Sequence, residues 1–379
     1  MLPGELVAWY KGHGYQFLGL SEHDSVPDHE SWVSAKNIRN YAEVGANCQS
    51  KRGLCPVSRL YDGVEQWKLQ TISELRHDFE RSERFILLQD EEITNDSPSY
   101  RLHVTAVNVT AAIAPIHEGE RLPVIEETLR RIEVQSERQP SPAVGIINHP
   151  NFAYAVNADT LARAKSAQFV EIFNGHPSSA SRGDEGKRSV ERLWDMANAQ
   201  RVLEYAWPPL FGVAGDDTHS LAGKDQASPG RGWIVVRASQ LRPDVLVHAM
   251  LAGDFYASTG VVLNRCDFNS ATRTLSISVA QVPGVSYKIE FIATKRKVTP
   301  LLSSGDERWD SPGVGDVVKS ATGFQSEYQL AGDEAFVRAT ITSSRVPENP
   351  MVSSYTGDTS QFEQAFTQPV GWQRALAGY

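Results

Sequence analysis

Five short runs of the sequence concentrate imidazoles and carboxylates: Ser21-Glu22-His23-Asp24, Asp90-Glu91-Glu92, Asn148-His149-Pro150, Asn174-Gly175-His176 and Gly215-Asp216-Asp217-Thr218-His219. Imidazole nitrogen and carboxylate oxygen together form the donor set of zinc, manganese and iron sites. A carboxylate also bridges two such ions roughly 3.5–4 Å apart, an arrangement that polarises a phosphoryl oxygen and ionises water at neutral pH. A lone histidine is more often a hydrogen-bonded surface residue than a ligand. Four of these five runs carry one, and that recurrence is the signal.

Each run follows a β-rich stretch. Strands are expected at 15–20, 85–88, 144–147, 169–173 and 210–214, with helical spacing over 64–79 (Leu69, Ile72, Leu75, Phe79), 124–134 and 190–199, and a closing helix at 243–251. Alternating strands and helices predict βα units around a mostly parallel sheet or barrel, whose strand C-termini converge on one face. That convergence would gather the scattered residues into one pocket. His13, His29, His77, His117 and His248 fall away from strand ends and read as structural.

After Thr259-Gly260 the pattern changes to short alternating strands, 274–279, 286–293, 325–330 and 335–342, separated by Pro-Gly and Ser-Gly turns. Residues 260–379 are therefore expected to form an antiparallel β-sandwich domain behind an α/β domain of residues 1–259. The chain opens with a helix near Pro3 that leads directly into the first strand, whereas a βα barrel ordinarily has a strand before that helix.

Composition narrows the partners. The 379 residues carry 37 basic and 46 acidic side chains, a formal charge of −9, and the longest basic run is Lys295-Arg296-Lys297. Nothing there supplies the positive stripe that duplex nucleic acid requires. Cys48, Cys55 and Cys266 are too few and too scattered for a disulfide framework or a zinc cage. No apolar stretch approaches the ~20 residues of a membrane span. The chain as written reads as cytoplasmic, and a start further upstream would open a periplasmic or secreted location.

The run 14–24, Gly14-Tyr15-Gln16-Phe17-Leu18-Gly19-Leu20-Ser21-Glu22-His23-Asp24, closely resembles the second motif of the PHP (polymerase and histidinol phosphatase) superfamily. Glu91-Glu92-Ile93-Thr94, Leu102-His103-Val104, Asn148-His149-Pro150, Glu171-Ile172-Phe173-Asn174-Gly175 and Gly215-Asp216-Asp217-Thr218-His219 follow in that family's order, over roughly residues 2–263. The stretch 233–263, with Phe255-Tyr256-Ala257-Ser258-Thr259-Gly260, and the late Thr367-Gln368-Pro369 resemble a subgroup with a C-terminal β-domain. The resemblance implies a distorted (βα)7 barrel with two or three divalent ions (Zn, Mn or Fe) that hydrolyses phosphoesters through a metal-bound hydroxide. It implies that Glu92 bridges ions, that His103 and His149 hold one ion, Asp217 a neighbouring one, and His23 with His219 a third. His103 enters through the resemblance alone.

The family's first motif, a His-x-His on an opening strand, is absent. Two explanations stand: a true start upstream, or a degenerate member whose ion site is weakened. His23, Asp217 and Asp24 are the expected catalytic residues, Asp24 by holding a water or orienting His23. Asn151, Asn174, His176, Arg182 and Arg231 are expected to bind substrate, the arginines because a guanidinium grips phosphate bidentately. The expected function is a metal-dependent phosphoesterase acting on a small phosphorylated metabolite or phosphodiester. The alternative is an inactive PHP-like binding or scaffold module.

Overall fold

The computed structural model describes residues 2–38, 56–184, 186–221, 223–302, 308–354 and 361–377. Cys48 and Cys55 lie outside the described residues. Helix α1 (Pro3–Gly12) starts with proline, whose fixed φ suits the first helical turn, and buries Val7 and Tyr10. Strand β1 (Phe17–His23) follows, and then a small antiparallel sheet of β2 (Ser31–Ser34), β3 (Ser58–Tyr61) and β4 (Val64–Leu69), in the order β2-β4-β3.

The helical spacing expected over 64–79 is therefore wrong for its first half. Only Ile72–Phe79 is helical, as α2. Thr71 sets the boundary: its hydroxyl accepts from Glu74 N at 3.3 Å, and its own N–H donates to Glu74 Oε2 at 2.9 Å. Upstream of that cap, pairing with β2 and β3 decides the conformation, against the local apolar spacing.

The main sheet joins β1 to β5 (Ile86–Thr94), β6 (His103–Val107), β7 (Val144–Ile147), β8 (Phe169–Asn174) and β9 (Phe211–Gly215), in the order β1-β5-β6-β7-β8-β9. It is parallel except at β6, which runs antiparallel to both neighbours. The eight residues between β5 and β6 are too few for a parallel crossover, so the chain turns back as a hairpin. The start of β6 thereby lies beside the end of β5, with Thr94 opposite His103. This reversal is why a histidine at a strand's beginning joins residues at other strands' ends.

The sheet curls. Its outer face packs Ile93, Val104, Ile147 and Val170 against Ile125, Leu129 and Ile132 of α3 (Arg121–Glu137), Leu161 of α4 (Ala158–Arg163), and Trp194 of α5 (Val190–Leu203). The inner face at the end remote from the imidazoles packs Leu88, Val107 and Val213 against Leu246, Val247 and Met250 of α6 (Pro243–Leu251).

A second six-stranded sheet takes β10 (Trp233–Val236) and β11 (Phe255–Ser258) from before residue 260. After the separate strands β12 (Leu263–Asn269) and β13 (Thr274–Val279) come β14 (Tyr287–Lys295), β15 (Asp316–Thr322), β16 (Gln325–Gln329), β17 (Glu334–Ser343) and β18 (Gln364–Thr367). The large sheet runs β10-β11-β18-β17-β14-β15, and β12, β13 and β16 form a further three-stranded sheet whose Leu275 and Ile277 join the apolar cluster of Phe291 and Ile341. The protein is thus mixed α/β, with a curled, parallel-rich half-barrel sheet and separate antiparallel sheets.

Among the contacts that bind the halves, two are made by buried side chains. Arg338 of β17, wholly buried, donates to both oxygens of Asp195 on α5, each at 2.7 Å, and to Glu191 at 2.8 Å. The Gln368 side-chain amide pairs with the backbone N–H and C=O of Gly212, both at 2.8 Å, and so satisfies part of the free edge of β9. Among the described residues no helix is long and apolar enough to cross a membrane.

Candidate metal centre

Register places the first contact. The β1–β5 pairing sets His23 opposite Glu92, and the two side chains approach to 3.7 Å at Nε2 and Oε2. Glu92 is buried, and its other oxygen takes His103 Nδ1 at 2.9 Å, His149 Nε2 at 3.3 Å and Asn148 Nδ2 at 3.0 Å. Burial alone would raise the Glu92 pKa, but the bonds and charges of His103 and His149 hold it well below the usual carboxylate range. His149 is affected in the opposite sense. Burial disfavours its cation, yet Glu92, with the charges of Glu171 and Asp217, lifts it to about 9.

The imidazoles continue as a row. Ring centroids lie 4.9 Å apart for His103 and His149, 5.3 Å for His23 and His103, 6.3 Å for His23 and His219, and 5.5 Å for His176 and His219. His219 Nδ1 sits 3.4 Å from Asp217 Oδ1, and Asn174 Nδ2 donates to Asp217 Oδ2 at 3.3 Å. His23, Glu92, His103, His149, Asp217 and His219 therefore share one end of the curled sheet. That end opens on a cavity of about 960 Å³ lined there by His23, Glu92, Asn174, Asp217 and His219.

A supporting layer fixes these groups. Glu171, also buried, accepts from His149 N at 2.8 Å and Asn174 Nδ2 at 3.0 Å. Burial pushes its carboxyl up to about 7. Asp216 faces the other way, accepting from Tyr10 Oη at 2.6 Å and from the backbone N–H groups of Gly230, Arg231 and Gly232. Of the two adjacent aspartates, 216 anchors α1 and a loop, and 217 is left to the centre. Asp24, His149 and Asp217 all have positive φ, at 51°, 21° and 51°, conformations unusual for residues with a Cβ and concentrated at functional sites.

The remaining expected site residues divide. Asn174 and His176 border the centre, and burial lowers the His176 pKa. Asp24 Oδ1 accepts from Thr94 N at 2.7 Å, tying the end of β1 to β5. Arg231 does not suit substrate binding: it is buried, and its five N–H groups donate to the carbonyls of Asn349, Gly175, Gln226, Gly223 and Lys224. It clasps loops, and a buried guanidinium so saturated has no donor left for phosphate. Asn151 likewise donates its amide to Ala180 O and Arg188 O. Arg182 leans toward the C-terminal region, with Nη2 3.4 Å from Phe362 O. Sequence reasoning passed over Glu171 as a positioning residue, although it lies three residues before Asn174, and Asp96, whose Oδ1 is 3.3 Å from His103 Nε2.

The donor set fits a divalent ion. His23, Glu92 and His103 each offer one ligand atom, all within 4.8 Å of one another. His103 Nε2 is buried and makes no hydrogen bond. Mixed nitrogen and oxygen donors suit zinc, manganese or iron. The chain matches no protein-family model and no curated protein.

Proposed function

We propose that the protein is a metal-dependent phosphoesterase with a distorted (βα)7, PHP-type barrel and a C-terminal β-sandwich. The observation that carries this reading is Glu92: one buried carboxylate faced by imidazoles from three separate segments, His23, His103 and His149. A bare cluster of this kind is costly to bury for stability alone, whereas it is the ordinary make-up of a site for two or three divalent ions. The motif resemblance points the same way.

Glu92, His103 and His149 would hold one ion, Asp217 a second, and His23 with His219 a third. When bound, these ions supply Lewis acidity toward a phosphoryl oxygen and acidify water. Glu171 holds the backbone of His149, Asn174 holds Asp217 at the cavity, and Asp24 keeps the end of β1 against β5. The substrate is a small phosphorylated metabolite or phosphodiester, since a chain of charge −9 gives a long polyanion no field to follow.

Metal analysis of the purified chain, followed by turnover of 4-nitrophenyl phosphate with added manganese or zinc, tests the proposal. At least one equivalent of bound metal with metal-dependent turnover supports it. Less than one equivalent and no turnover, even after addition, returns the protein to the binding or scaffold reading, in which the β-strand region recognises a partner.

A further inference from the structure

A second concavity, of about 530 Å³, lies between the 96–101 turn and the start of α3. Its lining carries the guanidinium groups of Arg101 and Arg121, the imidazole of His117 and a single carboxylate, Asp96. Asp96 joins the two sites: Oδ1 accepts from Leu102 N at 3.1 Å and faces His103 Nε2, while Oδ2 takes Arg101 Nη1 at 2.7 Å.

We propose that this groove is an anion site for a phosphate group other than the one hydrolysed, so that the preferred substrate carries two phosphates. For its role in turnover the inference rests on the phosphoesterase reading; the binding itself does not. The side chains of the groove are held in place. Buried Tyr100 donates its hydroxyl to Gly119 O at 3.0 Å, and Arg121 lies over its ring, 5.1 Å from the centroid. His117 is fixed at the edge of the groove by Nδ1, 3.0 Å from Asp96 O. Arg101 makes no other hydrogen bond among the described residues. Two guanidinium groups from separate segments offer the paired N–H donors that suit a tetrahedral phosphate dianion. The first turn of α3 carries no acidic residue of its own, although Glu120 stands at its cap, and its backbone dipoles add to the field of the guanidinium groups.

The test uses the full chain treated with a chelator, so that bound metal contributes nothing, and titrates inorganic phosphate by calorimetry. Wild type should bind, and the double variant Arg101→Gln/Arg121→Gln should bind at least about tenfold more weakly, while Arg130→Gln, on an exposed turn of the same helix, should bind like wild type. Circular dichroism verifies that each variant is folded. No phosphate binding by wild type, or equal binding by the double variant, overturns the proposal. In the metal-loaded enzyme the double variant should raise KM for a sugar bisphosphate about tenfold relative to KM for 4-nitrophenyl phosphate, and an equal change in both overturns it. Absence of all turnover in loaded wild type counts against the phosphoesterase reading, and the calorimetric result still decides the anion site.

Discussion

Gly215 leaves Glu171 its present position: a Cβ at residue 215 would sit 2.8 Å from Glu171 Oε1 and force that carboxylate to shift. The glycine that ends β9 thus leaves room for the carboxylate that positions His149 and Asn174. Gly215→Ala should displace Glu171 and weaken zinc binding about 10–100-fold, the usual cost of disturbing a group behind a metal ligand. Competition with a chromophoric chelator measures this, and unchanged affinity would show that Glu171 has no such role.

His149→Ala and Asp217→Ala should each lower metal-dependent hydrolysis of 4-nitrophenyl phosphate by about 100-fold or more while the far-UV spectrum remains that of the folded chain. Retained activity in both contradicts the assignment of the site.

Arg231→Gln separates clasp from substrate ligand. Five carbonyls lose their donors, so the variant should lower the melting temperature and become easier to cleave by protease near Gly223. A rise in KM with unaltered stability would restore it to substrate binding.

Arg338→Ala leaves Asp195 buried without its cation and should cost about 3–5 kcal/mol in urea denaturation. The Asp195 carboxyl is already raised by burial, which the Arg338 charge opposes. A loss below about 1 kcal/mol would mean that the two halves are held by other contacts.

Glu334 provides an acid-side prediction far from the centre. Burial pushes its pKa up, but bonds from Tyr328 Oη, Gly332 N and Lys295 Nζ prevail and bring it to about 2. A lowered pKa stabilises the fold above the unfolded value near 4.5, and that contribution disappears as pH falls through the folded value. Relative to wild type, Glu334→Gln should be less stable at pH 7 by about 1–2 kcal/mol after allowance for screening, with the gap closing between pH 4.5 and pH 2. A gap independent of pH rules out the ion pair as its source.

Much of the α/β frame is legible in local pattern. Val144–Ile147, Pro243–Leu251 and Thr274–Val279 match the expected spans residue for residue, because a proline at a helix start and apolar β-branched runs between turns act over short range. The segment 64–69 was misread because strand pairing with β2 and β3 outweighs an apolar spacing that a helix would also satisfy.

By itself the sequence determined which residue types cluster at the ends of successive strands, since hydrophobic alternation marks the strand and the polar run marks where it stops. That was enough to place His23, His149 and His219 on paper, while Glu92 among Asp90 and Glu91, and Asp217 beside Asp216, were singled out by the motif resemblance. Only the tertiary structure decided what each polar group faces. It reversed β6 and so brought His103 onto Glu92, assigned Asp216 to Tyr10 and Asp217 to the centre, and closed five carbonyls around Arg231. Those partners come from loops up to some two hundred residues away, and a hydrogen bond depends on distance in space, of which spacing along the chain holds no record.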